Sequence, residues 1–87
     1  LEESPEVTVR KLLVNPNRSM ESTIPAHFQI RWFVIAGKAK LTTPQGINIL
    51  TRNESFSIIG ETLITVTNES TEPLLIIEMK CPNYTDD

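Results

Sequence analysis

A small all-β domain, built as an antiparallel barrel or sandwich, is the fold class this sequence predicts. Three observations carry the prediction. Apolar residues recur at a period of two and are rich in β-branched types, Pro, Gly and Asn interrupt them at short intervals, and no stretch has an amphipathic helical repeat. With 87 residues there is room for one domain, 1–87, and one core.

In chain order, the alternation predicts strands over residues 7–14, 28–36, 38–42, 47–51, 55–59, 62–67 and 73–79. Turn residues separate them: Asn15-Pro16-Asn17, Gly37, Pro44-Gln45-Gly46, Arg52-Asn53, Gly60 and Asn68-Glu69-Ser70. Residues 16–24 read as a polar, mobile loop, and 1–6 and 83–87 as flexible tails. Short strands at regular spacing are what an antiparallel barrel requires.

Two of these strands are apolar on both faces. In 30–35, Ile30, Trp32 and Val34 form one alternating set, and Phe33 and Ile35 fall in the other. In 74–79, Leu74 and Ile76 alternate with Leu75, Ile77 and Met79. A strand with one face in water does not have this composition. A domain this small has little sheet of its own to cover a second face, so a homodimer joined through these strands is expected.

Composition narrows the partners. Eight basic residues spread from Arg10 to Lys80, against eleven acidic ones, leave no patch to track a row of phosphates, so nucleic acid is not expected. No apolar run in the strands, 74–77 included, is long enough to cross a bilayer, and no signal-peptide pattern is present, so no membrane partner and a cytoplasmic location are expected. Cys81 is the single cysteine and supports neither an intrachain disulfide nor a cysteine-based zinc site. Asn-x-Ser/Thr triplets at Asn17, Asn53, Asn68 and Asn83 read as turn chemistry.

From residue 7 onward, the landmarks fall in a familiar order. Trp32-Phe33-Val34-Ile35-Ala36-Gly37-Lys38-Ala39 is followed by Asn53-Glu54-Ser55, then Asn68, then Pro73-Leu74-Leu75-Ile76-Ile77-Glu78, with Tyr84 and Asp86-Asp87 beyond. In this order and spacing the chain resembles the C-terminal cupin domain of the mannose-6-phosphate isomerase and mannose-1-phosphate guanylyltransferase family. The resemblance implies a cupin-type, jelly-roll β-barrel. It also implies a divalent metal held by Gln or His, His and Glu in a first motif and by a His in a second. Those four positions fall here at Thr23, Pro25, Ile30 and Ile64. Proline and isoleucine have no donor atom, and a lone threonine hydroxyl is a poor ligand for Zn²⁺, Fe²⁺ or Mn²⁺. No metal site and no cofactor are therefore expected. A glutamate restored at position 30 is expected to be buried without a partner.

Other chemistry is thin. Glu54, Glu61 and Glu78 read as solvated charges on turns and strand ends, and Gly37, Gly46 and Gly60 sit at separate turns rather than in a phosphate loop. His27, the single histidine, lies near the first motif but at no ligand position. Candidate ligand-binding residues at the barrel mouth are His27, Phe28, Ile30, Trp32 and Ile64, with Phe28 and Arg31 nearest to any opening and Trp32 and Phe28 also read as core. The expectation is a metal-free, non-catalytic binding or interaction module for a small sugar-like or apolar ligand. The alternative is a sugar-phosphate isomerase or sugar epimerase with a non-standard site around His27.

Overall fold

The computed structural model describes residues 7–82; the tails expected at 1–6 and 83–87 lie outside the described residues. Eight strands follow one another: β1 Thr8–Val14, β2 Arg18–Thr23, β3 Phe28–Ala36, β4 Ala39–Thr43, β5 Gly46–Leu50, β6 Ser55–Ile59, β7 Leu63–Asn68 and β8 Leu74–Pro82. They form two four-stranded sheets. Sheet A runs β1-β8-β3-β6 and sheet B runs β2-β7-β4-β5, with antiparallel pairing throughout. This is the jelly-roll order, and each sheet is hydrogen bonded within itself, so the barrel is a sandwich with two open flanks.

The loop expected at 16–24 is corrected, because most of it is strand β2. This strand pairs only with β7, at the edge of sheet B. Its inward positions, Met20 and Ser22, are half-buried, while Arg18, Ser19, Glu21 and Thr23 are exposed. An edge strand needs few apolar residues, so period-two hydrophobicity is too faint there to read.

The core lies between the sheets. Leu12, Val14, Ile30, Trp32, Val34, Ile58, Leu74 and Ile76 come from sheet A. Ala39, Leu41, Leu50, Ile64 and Val66 come from sheet B, and Ile24 closes one end. These positions alternate strictly along their strands, as a buried inner face dictates. Where β3 pairs with β8, the register shifts between Val34 and Ala36, and Ile35 at the bulge is left 43% exposed.

Two side-chain devices hold the ends. Gly37 has φ 92°, and a Cβ there would stand 2.6 Å from the Pro73 carbonyl oxygen, so only glycine lets the β3–β4 turn cross the approach to β8. Asn68 is fully buried and donates from Nδ2 to the carbonyls of Val14 (2.9 Å) and Glu72 (2.7 Å). Its Oδ1 accepts from the Ser70 amide and hydroxyl, which ties sheet B to the end of β1 in sheet A. Asn17 and Asn53, at φ 62° and 73°, occupy left-handed turn positions that asparagine tolerates better than most residues.

Candidate functional site

The four positions that the resemblance assigns to metal ligands do not converge. Ile30 and Ile64 are 2% and 0% exposed and belong to one core cluster with Trp32, Val34 and Val66. Thr23 and Pro25 face solvent, because the inward phase of β2 runs through Met20 and Ser22 to the buried Ile24. Counting along the sequence places the first two ligands on the wrong face of the chain. The donor set, a hydroxyl turned outward and two buried hydrocarbon side chains, does not fit a transition metal. Among the described residues, no group of three or more His, Cys, Asp or Glu side chains is positioned to hold one.

Two turns close this end of the barrel. Ile24 exchanges backbone hydrogen bonds with the 61–62 segment, and Gly60 N–H donates to the Phe28 carbonyl at 2.8 Å. A Cβ on Gly60 would lie 2.3 Å from the Pro25 carbonyl oxygen, so glycine is required for the turns to meet. His27, at φ 67°, projects from the first turn and is exposed. Phe28 is half-buried against the core, with Lys80 Nζ 5.4 Å from its ring centroid. Lys80 also stands directly across the ladder from Ile30.

Glu78 overturns its reading as a solvated charge. It is 2% exposed, mid-strand, on the inner face of β8. Trp32 Nε1 donates to Glu78 Oε1 at 2.9 Å, and Arg10 Nε donates to Oε2 at 2.5 Å. The register places Arg10, Glu78, Trp32 and Phe56 in one row across sheet A, so neighbouring strands supply both donors. The Glu78 carboxylate, by hydrogen bond and by charge, raises the Arg10 guanidinium above its ordinary range. Glu54 and Glu61 are exposed at turns, and Glu54 accepts from the Thr51 amide at 2.7 Å.

An opening lies instead along the flank where β5 and β6, the free edges of the two sheets, face one another. A cleft of about 380 Å³ is lined there by Thr43, Gln45 and Asn48 from the β4–β5 hairpin. Phe56, Ser57, Ile58 and Ile59 from β6, with Thr62, complete its wall. No lining side chain carries a charge. Phe56 and Ile58 face inward and join the cleft to the core, and the exposed Ile59 lies with the amides and hydroxyls of its lining. None of His27, Phe28, Ile30, Trp32 or Ile64 lines it, although Ile30 and Trp32 are the ladder partners of Ile58 and Phe56. No local motif announces the cleft, since its walls are strands from different sheets. A second groove, of about 270 Å³, lies on the outer side of sheet B against Lys38, Lys40, Ile49, Thr67, Glu69 and Ser70. The Lys40–Glu69 ion pair, at 3.3 Å, neutralises part of its charge.

Comparison with known proteins adds an independent line. The family model "Mannose-6-phosphate isomerase C-terminal" matches residues 1–87. A mannose-1-phosphate guanylyltransferase of Salmonella muenchen is 30% identical over 76 residues, covering 87% of this chain and 16% of that protein. The chain thus spans about a sixth of the length of the curated relatives it matches. Among solved structures, a conserved Klebsiella pneumoniae protein with a double-stranded β-helix domain superposes with a TM-score of 0.83 at 19% identity, covering 95% of this chain and 73% of that one. The cupin domain of an XRE family transcriptional regulator from Enterobacter cloacae superposes at 0.81 with 17% identity, covering 93% and 84%.

Proposed function

The chain belongs to the mannose-6-phosphate isomerase C-terminal family of cupin domains, and from that premise we propose that it is a metal-free, non-catalytic cupin that binds a small, uncharged, hydroxylated molecule in the β5–β6 cleft. The carrying observation is the chemistry of that cleft. Its lining combines one aromatic ring and two isoleucines with amide and hydroxyl groups, and it holds no cation. A sugar ring has one apolar face and a fringe of hydroxyls, which matches such a lining. A phosphate ester would enter without a counter-charge and is disfavoured.

The relatives' names concern phosphorylated mannose, and their activity resides in proteins far longer than this chain. For this domain the reading is binding rather than turnover. An isomerase or epimerase reaction needs a base set against the substrate carbon, and His27 is exposed on a turn apart from the cleft lining.

The test is thermal denaturation against neutral monosaccharides, sugar phosphates and divalent metal ions. A neutral sugar at a hundred times its dissociation constant should stabilise the fold by about 2.7 kcal/mol. Asn48→Ala, at an exposed position, should weaken the affinity about tenfold and so roughly halve the stabilisation at the same sugar concentration, while the fold persists. Stabilisation by sugar phosphates or metals alone would refute the reading.

A further inference from the structure

The groove on the outer side of sheet B differs in chemistry from the uncharged β5–β6 cleft. One ladder row, Ser19–Thr67–Lys40–Ile49, crosses the sheet and supplies Thr67, Lys40 and Ile49 to its lining. Lys38, two residues before Lys40, lines the same groove, and Glu69 and Ser70 enter from the turn that follows β7. That turn is a fixed wall, because the Ser70 amide and hydroxyl donate to Oδ1 of the buried Asn68 at 3.0 and 2.8 Å. Thr67 Oγ1 stands 2.9 Å from Ser19 Oγ, and with Ser19 as the donor the Thr67 proton is left for a ligand.

Two ammonium groups here face one carboxylate. Lys40 Nζ lies 3.3 Å from Glu69 Oε2, and the Lys40 side chain is 34% exposed, so its head is held in place. Lys38 is exposed and forms no ion pair among the described residues. The lining therefore carries one positive charge that nothing within it neutralises. Other cations are already engaged: Arg10 with Glu78, Arg31 with the Ser57 hydroxyl, and Lys80 with the Phe28 ring.

We propose that this groove binds a small monocarboxylate with a short hydrocarbon tail, its carboxylate between Lys38 and Lys40 and its tail along Ile49. A single negative charge cancels the excess on the lining, and the Thr67 hydroxyl donates to one carboxylate oxygen. A phosphate dianion would instead leave net negative charge beside Glu69, and the lining has no arginine to grip it bidentately. Ile49 is 49% exposed, so covering it with a hydrocarbon tail removes apolar surface from water. The volume, about 270 Å³, lies just below the range that drug-sized ligands occupy and selects a ligand of few atoms. The groove shares no lining residue with the β5–β6 cleft, and the proposal does not depend on what that cleft binds.

The test is an NMR titration of the chain with butanoate, at an ionic strength held constant with sodium chloride. The amides of 38–40 and 67–70 should shift saturably, with a dissociation constant on the order of millimolar. Lys38→Ala and Lys40→Ala should each weaken binding about tenfold, and Lys11→Ala, on the other sheet, should leave it unchanged. Glu69→Gln removes the carboxylate that competes for Lys40 and should tighten binding about threefold, an effect that a purely structural ion pair would not produce. Acetate, which lacks the tail, should bind about fourfold more weakly than butanoate, and Ile49→Ser should abolish that difference. Shifts that grow without saturating, or an affinity indifferent to both lysine variants, overturn the site. Inorganic phosphate binding more tightly than butanoate overturns the choice of ligand.

Discussion

Two neighbouring rows on the inner face of sheet A treat polarity in opposite ways. The row through Ile30 and Ile58 covers the position where the family resemblance implies a glutamate, and both side chains there are hydrocarbon and buried. One step along the strands, the row through Trp32 and Phe56 keeps a buried carboxylate, Glu78, with an indole N–H on one oxygen and a guanidinium on the other. The difference lies in what each charge can bond to. A carboxylate at position 30 serves a metal, and with Thr23 and Pro25 turned outward it has no metal to serve. Glu78 is satisfied by the protein itself, so burial is tolerated.

Substitutions in the two rows should separate these cases. The largest loss is expected from Glu78→Ala, which strands the Trp32 N–H in the core and leaves Arg10 without its acceptor, at about 3–5 kcal/mol in urea denaturation. Ile64→Ala, across the sandwich from Ile30, should cost about 3 kcal/mol by opening a cavity in packed core. A loss well under 1 kcal/mol would mean that a void already lies beside Ile64. Trp32→Phe keeps most of the ring and deletes one donor, and should cost about 2 kcal/mol. Arg10→Ala should cost least, at most about 1 kcal/mol, because its side chain is 60% exposed and water can replace it. If Arg10→Ala matched Glu78→Ala, the ion pair rather than the indole bond would be what keeps the carboxylate buried.

The strands were legible wherever one face is buried and apolar, and β3 and β6 match their expected limits. The doubly apolar composition of β3 and β8 corresponds to apolar residues on both faces of these strands, with Ile35 and Met79 exposed on the outer one. β2 was not legible, because an edge strand with only Met20 and Ser22 turned inward carries almost no hydrophobic signal. Glu78 could have been found, since it continues the inward phase of Leu74 and Ile76. A count along the sequence gives the residue type at each implied ligand position but not its orientation, which depends on the phase of β2. The cleft was beyond reach, because it exists only where the free edges of two sheets face each other and leaves no periodic trace in either strand.

The pairing of β1 with β8 has a consequence for the order in which the chain folds. Thr8 lies opposite Lys80, so the first and last strands of the described residues complete their ladder only after nearly the whole chain has been brought round. Loop closure over that span is entropically unfavourable early in folding, and topologies dominated by distant pairings fold slowly. The same adjacency makes the chain suited to circular permutation. Linking residue 82 to residue 7 with a short designed connector, and reopening the chain at the β4–β5 turn between Thr43 and Gly46, turns the β1–β8 pairing into a local hairpin. Such a permutant should keep the jelly-roll, but it moves the distant closure to β4–β5 rather than removing it, so it should refold no faster than the parent while releasing one wall of the cleft.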